Sequence, residues 1–307
     1  MEQHQQHLRP SAGHPTYKGR SLPRPDEDLE DQGLGFDVQT LIGRRGALKA
    51  FGVGALALGL AACTATPNDA STGAAGTSAG EIPDETAGPY PGDGSNGPDV
   101  LEQSGIVRRD IRSSFGDASG TAVGVPLDLE LNIKDLANGG AAFAGVAVYV
   151  WQCDRDGNYS MYTPAAEQEN YLRGVQVADA EGTVRFTSIF PACYPGRWPH
   201  IHFEVYPDAA SITDSAKAIA ISQVALPQDV SDAVYATDGY SESVRTLARL
   251  SLESDNVFGD DGGASQLATV TGETGAGYKA VLDVRVDTST APAAGAMPRG
   301  TLHGGNG

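Results

Sequence analysis

Between Glu81 and Val286 apolar residues recur at every second position more often than at every third or fourth. The runs Val125 to Ile133, Val146 to Trp151, Thr183 to Thr187, His200 to Val205 and Ala280 to Val286 alternate in this way. A side-chain period of two is that of a strand. Turn-forming groups punctuate the runs: Asn138-Gly139-Gly140, Asp156-Gly157, Glu181-Gly182 and Pro195-Gly196. Short alternating strands with such punctuation predict an all-β fold: an antiparallel β-sandwich (or a barrel) with irregular loops and little helix. One segment departs from the pattern. Val244, Leu247, Ala248 and Leu252 are spaced by threes and fours, so Ser241 to Leu252 reads as a short helix or an irregular loop.

The composition changes on both sides of this region. Residues 1–43 are polar, and Arg44-Arg45 with Leu48 and Lys49 then precede a weakly apolar run from Ala50 to Ala62 that Gly52, Gly54 and Gly59 interrupt. The run is shorter than the roughly 20 residues a membrane span needs, and it fits the apolar core of an export signal. The arginine pair resembles a twin-arginine signal, and Leu60-Ala61-Ala62-Cys63 resembles a lipobox in which Cys63 is lipidated. Residues 1–63 are therefore expected to be a signal with a lipobox. Residues 64–80, rich in Thr, Ala, Ser and Gly, read as a flexible linker, residues 81–290 as one catalytic-size β domain, and 291–307 as a disordered tail. The expected location is outside the cytoplasm, either on the outer face of the cytoplasmic membrane or secreted, with the lipid anchor as the sole membrane contact.

Charge and residue counts narrow the chemistry. The net charge is −18, and removing residues 1–62 takes away seven basic and seven acidic residues and leaves it unchanged. Such a surface repels nucleic acid and anionic headgroups, which sets nucleic-acid binding aside. Without that segment only His200, His202 and His303 remain of the histidines, and Cys153 and Cys193 of the thiols other than Cys63. In an oxidising compartment a cysteine pair invites a disulfide, with a metal or catalytic role as the alternative.

His200-Ile201-His202 lies within an alternating run, so both imidazoles leave one face of one strand. Two imidazoles at that spacing reach one metal ion of several kinds, Zn, Cu, Fe or Ni. They also suit the solvated face of a strand whose other face is Ile201, Phe203 and Val205. Upstream, Gly157-Asn158-Tyr159-Ser160 and Cys193-Tyr194-Pro195-Gly196 each set a tyrosine beside turn residues.

The ordered set is more specific than its parts. Val150 to Asp154, Asp156 to Ser160, Leu172-Arg173-Gly174, Asp179 to Gly182, Phe186 to Ile189, Tyr194-Pro195 and Pro199 to Phe203 together resemble the intradiol ring-cleavage dioxygenases. That family includes catechol 1,2-dioxygenase and protocatechuate 3,4-dioxygenase. The similarity runs from about Thr86 to Val286. It implies a non-haem Fe(III) ion held by Tyr159, Tyr194, His200 and His202, with Tyr194 as the ligand that leaves when substrate binds. Phenolate is a hard anionic donor, and a trivalent ion deprotonates a phenol whose free pKa is about 10. The substrates implied are a catechol-type aromatic and O2, both oxygen atoms ending in a muconate-type diacid. Arg197 matches the family's active-site arginine, which stabilises charge developing on the ring, and Gln223 matches its active-site glutamine. Tyr90 matches a segment at the cleft mouth and is a candidate substrate contact. Trp198 is equally a wall of the substrate pocket or a packed turn residue.

The departures from the family pattern are as informative. Only six residues separate Tyr194 from His200, where a longer substrate-binding loop is usual, and a helical dimerisation segment is missing ahead of the β domain. This compact form resembles secreted actinobacterial and fungal members. Were both tyrosines to meet on one iron, Cys153 and Cys193 would come within bridging distance and a disulfide would brace the site. Free buried thiols are the alternative, since twin-arginine export carries a protein folded in a reducing compartment. Two rival functions stand beside this one: a non-catalytic cell-surface β-sandwich binding module, and a cupin-like or zinc enzyme built on the His pair, which would need a further His or carboxylate.

Overall fold

The computed structural model describes residues 80–290 and residue 292, together with a two-rung antiparallel pairing of β1 (Thr16–Tyr17) with β2 (Arg20–Ser21). Arg44-Arg45, Cys63, the linker up to residue 79, His303 and nearly all of the 291–307 tail lie outside the described residues. The chain divides into two compact units, Met1–Ala70 and Ser71–Gly307. β1 and β2 belong to the first, and everything below concerns the second.

The strands of this unit are β3 (Pro126–Asp135), β4 (Ala141–Ala142), β5 (Ala147–Trp151), β6 (Arg173–Val177), β7 (Thr183–Ile189), β8 (His200–Tyr206), β9 (Ala220–Ala225), β10 (Thr269–Glu273) and β11 (Gly277–Val286). β3, β5, β7, β8 and β11 follow the alternating runs, while β4, β6, β9 and β10 lie outside them. Two helices, α1 (Gln228–Tyr235) and α2 (Ser241–Leu247), separate β9 from β10. One sheet has the order β10-β11-β3-β4, with β7 also paired to β3, and the other the order β6-β5-β8-β9. The fold is all-β with little helix, as expected, but it is not wholly antiparallel. β11 runs parallel to β3 over nine rungs from Tyr278↔Leu127 to Val286↔Asp135. Only antiparallel neighbours can be joined by a tight hairpin, and β11 reaches β3 from far along the chain, so no turn dictates its direction.

Alternation becomes core in β3, where Leu127, Leu129, Leu131 and Ile133 are buried between more exposed neighbours. They form one cluster with Ala280, Leu282, Val284 and Val286 of β11, and with Val148, Val150, Ile201, Phe203 and Val205 of the second sheet. Each of the larger aliphatic and aromatic side chains contributes about 1.5–3 kcal/mol by leaving water. The opposite face of the second sheet is covered too. Ala147, Tyr149, Trp151 and Tyr206 pack there with Val100, Leu101, Ile106, Tyr159 and Ala192. All seven positions of β8 are consequently buried, which overturns the solvated-face reading of His200 and His202. Burial on both faces also explains why β9 (Ala-Ile-Ser-Gln-Val-Ala) shows no clear alternation, since no polar set marks an outer face.

The expected helix or loop at Ser241–Leu252 resolves into α2, which ends at Leu247. Leu247 is buried while Val244 is 47% exposed, so the spacing by threes and fours marks only part of a core face.

Candidate metal centre

A single row of paired residues crosses the second sheet: Arg173 of β6, Trp151 of β5, His202 of β8 and Gln223 of β9. Residues directly opposite on neighbouring strands share a face, so all four leave the sheet on the side away from the main core. Trp151 stacks on His202 with ring centroids 4.8 Å apart and planes within 7°. His200, two residues along β8, leaves the same face.

The two tyrosines arrive from loops built for the purpose. Asp154 Oδ1 accepts from the backbone N–H of Asp156 (2.9 Å) and Asn158 (2.8 Å), and Gly157 turns through φ 88°, which hands the chain to Tyr159. Tyr194 opens a second turn, closed by Arg197 N–H donating to Tyr194 O at 3.0 Å. Gly196 takes φ 81° in that turn. An extended arm before β3 packs on the Tyr159 loop. Arg173 ties the arm down: its Nη1 donates to Pro91 O (2.7 Å) and Tyr149 Oη (2.9 Å), its Nη2 to Tyr90 O (2.9 Å) and Ser160 O (2.9 Å), and its Nε to Ser160 Oγ (3.0 Å). Gly88, at φ 71°, passes so close that an added Cβ would lie 3.4 Å from His202 Cε1.

Four donor atoms converge as a result. Tyr159 Oη lies 3.1 Å from Tyr194 Oη and 3.4 Å from His200 Nε2, Tyr194 Oη lies 3.2 Å from His200 Nε2, and the two histidine Nε2 atoms are 3.1 Å apart. His200 Nδ1 sits 2.5 Å from Trp198 O and donates to it, which leaves the Nε2 lone pair facing the cluster. Burial, and then the neighbouring Arg197 charge, hold the His200 imidazole well below its ordinary pKa, and His202 is depressed by burial and by His200. Burial raises both phenols above theirs, Tyr159 further through Tyr194. Two neutral nitrogens and two phenols facing one another at hydrogen-bond distance suit a cation, whose charge reverses this pKa pattern and draws both phenolic protons off. Hard phenolate oxygens favour a hard, highly charged ion, and the donor set therefore fits the ferric ion implied by the resemblance.

Arg197 and Gln223 join the same cluster. Arg197 is 7% exposed and Gln223 is fully buried. Arg197 Nη2 donates to Gln223 Oε1 at 2.5 Å, its Nη1 is 3.3 Å from His200 Nε2, and its Nε donates to Asp255 Oδ2 at 3.2 Å. Burial works against the guanidinium charge, but Tyr194, Asp255 and Tyr159 together outweigh it and its pKa rises. Gln223 is held from behind, its Nε2 donating to Thr86 O of the arm at 2.9 Å. Tyr90 is half-buried over the cluster, its ring 4.9 Å from that of Tyr159 and 5.2 Å from that of Tyr162.

Trp198 and the two cysteines each take one of the two readings open to them, and not the substrate-wall or disulfide one. Trp198 is no pocket wall: it is 2% exposed within the main core, with Nε1 donating to Leu226 O at 2.8 Å. Cys153 and Cys193 are free buried thiols rather than a disulfide. Each faces a different carbonyl, Cys153 Sγ that of Ala192 and Cys193 Sγ that of Arg197. Burial pushes the Cys193 thiol up to about 12, away from the reactive thiolate. Asp255 and the work of Arg173 were not expected from the sequence. Parity along β6 could have placed Arg173 on the site face, but no local signal distinguishes Asp255.

Residues 96–203 match the family model described as Dioxygenase. The chain is 38% identical to chlorocatechol 1,2-dioxygenase of Rhodococcus opacus over 55 residues, which is 18% of this chain and 21% of that protein. It thus spans about a fifth of the length of that curated relative. The fold is similar to that of an intradiol ring-cleavage dioxygenase from Tetranychus urticae, at 24% identity and a TM-score of 0.52, over 68% of this chain and 94% of that one.

Proposed function

We infer that this chain, which belongs to the intradiol ring-cleavage dioxygenase family, is a non-haem Fe(III) enzyme that inserts both atoms of O2 into a catechol-type aromatic. It opens the ring between the two hydroxylated carbons and yields a muconate-type diacid. The observation that carries the reading is the convergence of Tyr159 Oη, Tyr194 Oη, His200 Nε2 and His202 Nε2, with neighbouring donor atoms 3.1–3.4 Å apart.

These four residues would hold the ion. When bound, it would acidify the two catechol hydroxyls and make the electron-rich ring reactive towards O2. Tyr194 is half-buried and Tyr159 fully buried, so Tyr194 is the phenol with room to swing aside and take a substrate proton on Oη. Burial already biases that oxygen towards its protonated form. Arg197 keeps a fixed positive charge beside the ligands, suited to stabilising negative charge on the ring in a site that excludes water. Gln223 and the arm at Thr86 keep the guanidinium in place, and Tyr90 roofs the cleft where an aromatic ring would enter. Both oxygen atoms end in the product, so no external reductant is required. The Arg44-Arg45 pair and Cys63 support export of this enzyme and its anchoring by lipid outside the cytoplasmic membrane.

The purified iron-loaded protein is expected to be red-brown from tyrosinate-to-iron charge transfer and to consume O2 with catechols. Tyr159→Phe and Tyr194→Phe should each shift or abolish the colour. A band that neither substitution alters would refute the assignment, and a colourless, inactive protein would favour the binding-module reading.

A further inference from the structure

The guanidinium of Arg197 is aimed from a part of the chain that lies beyond the family match at residues 96–203. The loop after α2 brings Asp255 under the turn that joins Tyr194 to His200. Asp255 is 3% exposed, and its carboxylate is saturated. Oδ2 accepts from Arg197 Nε at 3.2 Å and from the backbone N–H of Trp198 at 2.5 Å. Oδ1 accepts from the backbone N–H of Val257 at 2.7 Å and of Phe258 at 2.8 Å.

Neighbouring contacts lock the same loop onto the same turn. Asn256 N–H donates to Gly196 O at 3.3 Å, and the Phe258 ring lies 5.8 Å from the Arg197 guanidinium carbon. The two carboxylate oxygens therefore act on different partners, Oδ1 shaping its own loop while Oδ2 grips Arg197 and the residue after it.

We propose that Asp255 is a positioning residue for the reaction, acting through Arg197. Its Oδ2 fixes the Nε edge, which directs Nη1 to the ligand His200 and Nη2 to Gln223. An arginine has several rotatable bonds, and a turn residue held only at its Nη atoms could swing out of the cleft. A buried carboxylate on the opposite edge removes that freedom, and orienting partners of this kind typically contribute about 10–100-fold in activity. The proposal rests on the iron-dioxygenase reading above.

The test uses the full chain as wild type, Asp255→Asn, Arg197→Ala and the double variant. Asp255→Asn keeps an oxygen for the Val257 and Phe258 amides and removes the charge facing Arg197. The expected result is a fall in kcat of about 10–100-fold with KM within about threefold and iron content unchanged. In the Arg197→Ala background the same change should cost less than about twofold further, because residues acting through one contact are not additive. In the iron-free protein the Arg197 Nε–H, followed by NMR, should exchange with solvent faster in Asp255→Asn than in wild type. Should Asp255→Asn fail to fold, Asp255→Glu keeps the charge, shifts it by one methylene, and is expected to retain slow Nε–H exchange and part of kcat.

Additive losses in the double variant, or a kcat within twofold of wild type in Asp255→Asn, would overturn the proposal. Failure of the functional reading looks different: the wild type would then lack colour and O2 uptake. The Nε–H exchange would still decide whether Asp255 holds Arg197, and unchanged exchange would sink the positioning role by itself.

Discussion

Replacing Arg173 by lysine keeps the positive charge and removes the fork, which makes it a sharp test of how the arm is held over the donor cluster. Arg173 is 1% exposed and makes five hydrogen bonds among the described residues, to Tyr90 O, Pro91 O, Tyr149 Oη and both oxygens of Ser160. These acceptors belong to three pieces of chain: the arm, the β5 strand and the loop that follows Tyr159. A lysine ammonium has three donors on one atom and cannot reach both banks, so at least two of the five contacts are lost. At about 1.5–3 kcal/mol for each hydrogen bond to a charged group, the loss is roughly 3–6 kcal/mol. A domain of this size loses roughly 2–4 °C of Tm per kcal/mol, so the melting midpoint should fall by about 6–24 °C. Thermal unfolding followed by circular dichroism on the iron-free chain measures this directly. The arm carries Tyr90 and Gly88 over the four converging donors, so on the proposed function KM for a catechol should also rise in the iron-loaded protein at temperatures well below the melt. A midpoint within about 2 °C of wild type would refute the reasoning, since a point charge would then serve as well as the fork.

Two further outcomes follow from the same structure. Trp198→Phe removes the donor to Leu226 O and part of a core side chain, so it should cost about 2–4 kcal/mol in unfolding free energy while KM stays unchanged; a raised KM at full stability would restore Trp198 as a pocket wall. Glu85, raised from 4.5 to about 8 by burial and then by Asp260, binds its proton more tightly in the folded chain than in the unfolded one. Its contribution to stability therefore falls as pH rises from about 4.5 to 8. Glu85→Gln should match wild type near pH 4 and be the more stable of the two by pH 8, as read by denaturant titration at both pH values; a gap that does not widen with pH would contradict this.

How much of the site could be read before folding is clearest on β8. Alternation put His200 and His202 on one face and Ile201, Phe203 and Val205 on the other, and the folded strand keeps that division. Alternation reports which side chains share a face, however, and is silent on what covers it. The covering arm is irregular, has no period, and is held by contacts such as Gln223 to Thr86 across 137 residues. The order Tyr, Tyr, His-x-His was likewise visible in the chain, with turn residues beside each tyrosine, because loop punctuation is a local property.

Where the thiols, the indole and the arginine point is not local. Two cysteines next to the site looked ready to pair, yet their side chains face the carbonyls of Ala192 and Arg197. Trp198, between Arg197 and Pro199 in a turn, folds inward because Leu226 offers its indole an acceptor inside the core. Asp255 lies 58 residues from Arg197 in sequence and meets it only once α2 and the following loop have docked. By itself the sequence determined the alternating strands β3, β5, β7, β8 and β11 and the parity of the two histidines, and its resemblance to a known family named the four donors that converge. The tertiary structure alone decided which face was sealed and which distant groups aim Arg197, because burial and long-range hydrogen bonds arise only when separate segments are brought together.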